Sequence, residues 1–308
     1  MNMGYLSVLM CYLLVGISYP IAAESMNSIP VWTFIAITFA IGFVFLYIIG
    51  RATKAPAIFS LSLKTWAIIS LQSLLGAVLY TAFLLYGFEY SNAISASIFT
   101  SIAPAVVLAL SYFFLKEKLS SRKGIAILFA IAGVLVLTLP SSDTSGSTSF
   151  YGIILLALST LSTSCCVIAA KKYDVELPAL TMATGVCFTG MIFTAPLMFL
   201  LESKDIELSL LFDSKNTLTM IYYGILVWAV PYFCFFSGVT KIPASATGMA
   251  FAIIPVASTF FSIIFFDQSL TLTDGIALLM VTGSIVLSES TEAQAESESF
   301  SSQTELKS

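Results

Sequence analysis

The sequence is built from long apolar runs, and these runs restrict what the chain can fold into. Ten runs of 16 to 24 residues follow one another, separated by short polar or charged turns. A helix needs about 20 mostly apolar residues to cross the hydrocarbon layer of a bilayer. Only 10% of the 308 residues are charged, whereas a soluble domain has about a quarter. The runs therefore predict an all-α membrane protein with ten transmembrane helices and leave no room for a separate soluble catalytic domain. The predicted spans are residues 4–22, 30–50, 66–88, 92–115, 123–139, 150–170, 179–201, 217–237, 244–266 and 273–288.

Basic residues lie almost entirely on one side of the predicted membrane. With the N-terminus inside, eleven Lys and Arg residues fall in cytoplasmic segments, and only Lys204 and Lys215 fall outside. Short cytoplasmic loops carry an excess of Lys and Arg. This asymmetry predicts a multi-pass protein of the cell membrane (inner or plasma membrane) with both termini in the cytoplasm. A cleaved signal peptide ending near Ala23 is the alternative for the first span, but no Lys or Arg precedes Arg51 to form its basic region.

The two halves of the chain repeat each other at an offset of 151 residues. The offset divides the chain into a first repeat at 1–140, a polar linker at 141–149, a second repeat at 150–288 and an acidic, disordered cytoplasmic tail at 289–308. Each repeat holds five spans, so the second copy enters the membrane upside down, as in many secondary transporters. The matched pairs include Gly87 with Gly238, Ala93 with Ala244, Pro104 with Pro255 and Gly124 with Gly275.

The stretch from Tyr86 to Leu137, with its Phe114–Ser120 turn, resembles an EamA repeat of the drug/metabolite transporter (DMT) superfamily. The second copy, Ser237 to Leu287, is similar but carries Gln268 where the family has a glutamate. The segment Gly16–Pro20 resembles a family element at the start of the first span without its Trp. Many relatives carry an Arg in the second span, where this chain has Ile37, Thr38 and Phe39.

This resemblance implies a secondary transporter of small organic metabolites, with export of amino acids or related metabolites by alternating access as the leading case. The alternative transport function is import or exchange of a nucleotide-like or sulfonium metabolite. A different class, a non-transporting membrane scaffold that recruits a partner through the acidic tail, also stays open. The implied partners are a small-molecule substrate and membrane lipid.

Catalytic and metal-binding chemistry is not indicated. The chain has no histidine, and its five cysteines lie inside apolar runs without C-x-x-C spacing. No pair of catalytic residues occurs at membrane depth, so we predict that the protein is not an enzyme and has no cofactor and no metal. The body outside the tail is electrically neutral, and no basic patch suggests nucleic acid.

Polar residues inside the spans are hydroxyls, aromatics and prolines rather than charged residues. Hydroxyls in such helices either line a cavity or bond back to their own helix and hold helices together. We assign Tyr222 and Tyr223 to the aromatic belt at the membrane–water interface, near the extracytoplasmic end of their span. Pro104 and Pro255, matched in the two copies, are predicted helix breaks or hinges. The predicted cavity residues are Ser18, Tyr80, Ser97, Thr100, Ser101, Ser159, Thr163, Trp228 and Tyr232.

The predicted topology can be tested with a reporter that is active only outside the cytoplasm. A fusion after Ser308 should give no signal, and an insertion near Gly146 in the linker should give a strong one, because the charge asymmetry places these positions on opposite sides. The measurement is reporter activity in intact cells at matched expression. The reverse pattern would show that the whole topology is inverted.

Overall fold

The computed structural model describes residues 3–25, 29–56, 58–91, 93–100, 102–116, 149–173, 175–204, 207–242 and 250–270, together with isolated positions between 125 and 132, at 244 and 247, and between 272 and 283. Across these residues the chain is helical, with no β-strand. The helices are α1 (Met3–Ser25), α2 (Val31–Ala52), α3 (Leu63–Phe88), α4 (Ala93–Thr100), α5 (Ala103–Phe114), α6 (Phe150–Lys172), α7 (Ala179–Leu201), α8 (Leu208–Leu211), α9 (Ser214–Lys241) and α10 (Ile253–Phe266). Short 3₁₀ turns occur at Ile58–Ser60 and Ala250–Ala252.

Seven helices among these residues are long and apolar enough to cross a membrane: α1, α2, α3, α6, α7, α9 and the stretch Ala96–Phe114. The apolar helix α10 is shorter, at 14 residues. Large apolar side chains such as Leu63 and Phe113 are 88% and 73% exposed, which suits contact with lipid tails rather than water. An all-helical membrane protein is therefore confirmed. The predicted fifth and tenth spans and the acidic tail fall almost entirely outside the described residues, so the number ten stays a prediction.

Local sequence signals fix where several helices begin and end. The Ser149 hydroxyl accepts the Gly152 N–H at the start of α6, and the Asp213 carboxylate accepts the N–H groups of the first turn of α9. Lys171 and Lys172 occupy the last turn of α6, where a positive charge stabilises the negative end of the helix dipole.

Two irregular features recur in the two halves. Both α3 and α9 contain a π-helical segment, Leu74–Leu79 in the first half and Tyr223–Ala229 in the second. Lys116 and Asp267, which follow α5 and α10, both have a left-handed backbone, with φ of 57° and 50°. These two residues are separated by the 151 positions of the sequence repeat (267 minus 116). The repeat in the sequence is therefore also a repeat in local backbone geometry.

The core forms where helices of the two halves meet. Helix α2 packs on α7, α1 packs on α9 and α10, and α3 packs on α6. Close approach of α2 and α9 depends on glycine, because a Cβ at Gly42 would lie 2.8 Å from the Gly224 carbonyl oxygen. Each of these pairs joins one half of the chain to the other.

A buried carboxylate joins the two halves at one end of the bundle. Glu202 follows α7 and is only 8% exposed. Its oxygens accept the backbone N–H groups of Trp32 and Thr33 at 2.9 and 2.7 Å and the Thr33 hydroxyl at 2.9 Å. Pro30, the N-cap residue of α2, makes no side-chain cap of its own. Glu202 therefore supplies the missing acceptor and the negative charge that a helix N-terminus favours.

We expect Glu202→Ala to lower the free energy of unfolding by about 2–3 kcal/mol, because two buried N–H groups would lose a charged acceptor. The matched control is Glu207→Ala in the same loop, whose side chain is exposed and should change stability by less than about 0.5 kcal/mol. Helical circular dichroism during denaturation in mixed micelles measures both values. Equal stability of the two variants would show that the Glu202 cap is not stabilising.

Candidate functional site

A central cavity lies between helices of both halves. About 780 Å³ of space, which includes the part open to the outside, lies between α1, α3, α6 and α9, and Phe251 and Ile254 complete its wall. Its lining residues come from the middle parts of these helices, as expected of a site near the membrane midplane. None of the lining residues that the structure describes is charged.

Five of the predicted cavity residues lie in this wall. Ser18 comes from α1, Tyr80 from α3, Thr163 from α6, and Trp228 and Tyr232 from α9. Ser18, Tyr80 and Trp228 are buried, and Thr163 and Tyr232 are half-buried. The structure thus brings these five side chains together from four helices, and their role in binding a solute remains a proposal.

The other predicted hydroxyls lie behind the wall. Ser97 donates to the Ile94 carbonyl of its own helix at 2.7 Å, and Ser159 donates to the Tyr80 carbonyl at 2.8 Å. Thr100 lies 2.6 Å from the Tyr19 hydroxyl, which is itself in the wall. These three residues are not part of the wall, because short hydroxyl side chains satisfy themselves on nearby carbonyls, and a role for them in solute binding stays a prediction. Ser101 lies outside the described residues.

The two matched prolines each follow an interruption of a helix. Pro104 is in the first turn of α5, two positions after the α4–α5 break at Ile102, and Pro255 is in the first turn of α10, after the 3₁₀ turn Ala250–Ala252. A first-turn proline removes no intrahelical hydrogen bond. The prolines therefore mark the start of a helix rather than the middle of one, and a hinge role stays a prediction.

Several wall residues were not among those predicted to line the cavity. Tyr12, Tyr19, Thr81 and Cys166 line the cavity together with Tyr223. Tyr223 is 3% exposed and donates to the Ser18 carbonyl, so its assignment to the membrane interface is wrong. One signal was available for Tyr19, which lies beside Ser18 within the Gly16–Pro20 element.

The π-helical segment of α3 contains backbone carbonyls that accept hydrogen bonds from other helices. Tyr232 of α9 donates to the Gly76 carbonyl at 2.6 Å, and Ser162 of α6 donates to the Leu75 carbonyl at 2.7 Å. π-Helical turns are rare and occur often at functional sites. A Cβ at Gly76 would overlap the Cys166 sulfur, so glycine is required for α3 and α6 to approach here.

The indole of Trp228 is fixed from behind the wall. Its Nε1–H donates to the Thr38 hydroxyl at 3.0 Å, and its ring lies parallel to the Tyr232 ring with centroids 6.0 Å apart and an interplanar angle of 12°. Phe39 packs on it, with centroids 4.3 Å apart. Thr38 and Phe39 of α2 therefore hold the Trp228 ring in place.

A metal centre has no support among the described residues, since they contain no group of three or more Cys, Asp or Glu side chains able to hold an ion.

Comparison with known proteins identifies related chains over nearly the whole length. The model of the EamA-like transporter family matches residues 2–139 and 150–289. The uncharacterized transporter YetK of Bacillus subtilis is 27% identical over 92% of this chain and 85% of its own. A WAT1-related protein of Arabidopsis thaliana is 24% identical over 78% of this chain and 72% of its own. A solved crystal structure superposes with a TM-score of 0.72 at 18% identity, covering 95% of this chain and 98% of that one.

Proposed function

Because the chain belongs to the EamA-like transporter family, we propose that it carries a small organic metabolite through the central cavity by alternating access. The family assignment makes the protein a multi-pass membrane transporter and not an enzyme. Export of amino acids or related metabolites is the function that we consider first.

The observation that carries this proposal is the position of the cavity. Helices α1 and α3 of the first half and α6 and α9 of the second contribute to one wall. A solute held there contacts both halves at once, so rocking of one half against the other exposes it to either side in turn. The π-helical segments of α3 and α9 both contribute lining residues, Gly76 in the first half and Tyr223, Val227 and Trp228 in the second.

For the architecture we propose ten transmembrane helices in two inverted five-helix halves, placed in the cell membrane with both termini in the cytoplasm. The backbone features shared by the two halves support the repeat, and the distribution of Lys and Arg supports the orientation.

Composition of the wall weighs against one alternative solute. A nucleotide-like metabolite carries phosphate, which proteins bind with Arg, Lys or clustered backbone N–H groups. The described wall offers no cationic side chain. A scaffold function would give no reason for an internal cavity shared by both halves.

Purified protein in proteoliposomes, screened with a panel of labelled metabolites, tests the proposal. Trp228→Ala and Tyr232→Ala should each reduce the initial flux at least tenfold, because the two rings form one side of the wall and large aromatic anchors carry much of the binding energy at such sites, about 2 kcal/mol or more. The control is Phe113→Ala, an aromatic residue that is 73% exposed on the outside of the bundle and should keep wild-type flux. Wild-type kinetics in both wall variants, at normal expression and folding, would exclude this cavity as the transport site.

Flux should not depend on a proton gradient. Proton-driven carriers use a titratable group in the membrane path, and neither histidine nor, in the described wall, Asp or Glu is present. Glu24 pairs with Lys215 at 3.2 Å on the exposed surface, and Glu89 is exposed after α3. We expect equal solute flux with and without an inward proton gradient at a matched solute gradient. Concentrative uptake that requires the gradient and disappears in Glu24→Gln or Glu89→Gln would contradict this expectation.

A further inference from the structure

We propose that the central cavity recognises the hydrogen-bond-donating or positively charged end of its solute and disfavours anions, so that organic amines and quaternary ammonium ions are the class that it accepts. That such solutes are transported, and not only bound, rests on the proposed function. It narrows the solute from amino acids and related metabolites to those related metabolites that lack a free carboxylate. Its basis is the direction of each hydrogen bond in the wall.

A chain of hydroxyls has a defined direction. The Thr100 hydroxyl donates to the Ala96 carbonyl at 3.1 Å, since a carbonyl can only accept. The Tyr19 hydroxyl, 2.6 Å from Thr100, must then be the donor in that contact. The Tyr80 hydroxyl, 2.9 Å from Tyr19, donates in turn to Tyr19. Tyr80 therefore presents only oxygen lone pairs to other partners.

Four further polar groups of the wall also donate to protein acceptors. Tyr223 donates to the Ser18 carbonyl, and Tyr232 donates to the Gly76 carbonyl. Ser18 donates to the Val15 carbonyl at 2.7 Å, and the Trp228 N–H is engaged by Thr38. Each of these donors is already engaged by a protein acceptor, and the tyrosine oxygens keep lone pairs that can accept.

Two buried hydroxyls in the wall have no partner among the described residues. The Tyr12 oxygen and the Thr81 oxygen are both unsatisfied, in side chains that are 6% and 3% exposed. A buried polar group without a partner is costly, so these two positions point to a bound molecule that completes them. Each hydroxyl can accept as well as donate, and both are therefore compatible with a donor-bearing solute.

Aromatic rings add to this preference. Eight of the lining residues are Tyr, Trp or Phe, and none of the lining residues described is Lys or Arg. Ring faces attract cations, most strongly where water is excluded. An anion entering the same space would lose its hydration and find few free donors, which is unfavourable. The wall therefore presents oxygen lone pairs and aromatic ring faces, and none of its described residues carries a formal charge.

Neighbouring cysteines provide a matched probe of this environment. Cys166 lines the cavity, whereas Cys165 is half-buried and is not part of the wall. Two single-cysteine variants of the full chain, in which the other four cysteines are changed to Ala, keep one or the other. Each is labelled in detergent with a cationic thiol reagent, 2-aminoethyl methanethiosulfonate, and with its anionic counterpart, 2-sulfonatoethyl methanethiosulfonate. The ratio of the two rates at Cys165 corrects for the intrinsic reactivity of the reagents.

We expect the cation-to-anion rate ratio at Cys166 to exceed the ratio at Cys165 by about tenfold. Tyr80→Phe, which removes the hydroxyl oxygen with its free lone pairs, should lower the Cys166 ratio several-fold and leave the Cys165 ratio unchanged. A Cys166 ratio equal to or below that of Cys165, in folded protein, would overturn the inference.

Labelling requires no transport, so the two proposals fail separately. A cation preference at Cys166 without flux of any solute in proteoliposomes would remove the transport proposal and keep the binding preference. Flux that depends on Trp228, together with an anion preference at Cys166, would keep the transporter and overturn the solute class.

Discussion

Backbone polar groups inside a membrane must find partners within the protein, because lipid offers none. Much of this site follows from that constraint. The Leu75 and Gly76 carbonyls in the π-helical segment of α3 accept hydrogen bonds from hydroxyls of α6 and α9. The same contacts hold the two halves together and decide which atoms are left facing the cavity. Stability of the bundle and the chemistry of its interior therefore depend on the same hydrogen bonds.

Two kinds of contact join the halves: neutral contacts in the middle of the bundle and a charged contact at one end. Around the cavity the contacts between halves are neutral hydrogen bonds and ring packing, whereas Glu202 places a buried charge on the N-terminus of α2. Charge-assisted hydrogen bonds are roughly twice as strong as neutral ones. The α2–α7 pair, where Glu202 makes these charged contacts, thus has the features of a fixed support, while the neutral contacts near the cavity are easier to exchange during a transport cycle.

Hydropathy is a local property, and for this reason the spans and the family could be predicted while much of the site could not. Trp228 and Tyr232 were found because they lie deep in a span and one turn apart. Tyr12 and Tyr19 were missed because their helix is apolar on every face, so no periodicity separates the side that meets the cavity from the side that meets lipid. A π-helical turn has no compositional signature, and the Glu202 contact joins residues 169 positions apart. Such features depend on packing between distant segments and become visible only when the helices are placed together.

The absence of formal charge from the described wall also determines how the membrane potential acts on this transporter. Since no described wall residue is ionised, the charge that moves past this wall during a cycle is that of the solute. For a monovalent organic cation, outward movement against 100 mV costs about 2.3 kcal/mol, equivalent to roughly a fifty-fold concentration ratio. Net exit of such a solute would require that ratio or the return of another cation in exchange, whereas a neutral amine would cross without sensing the voltage.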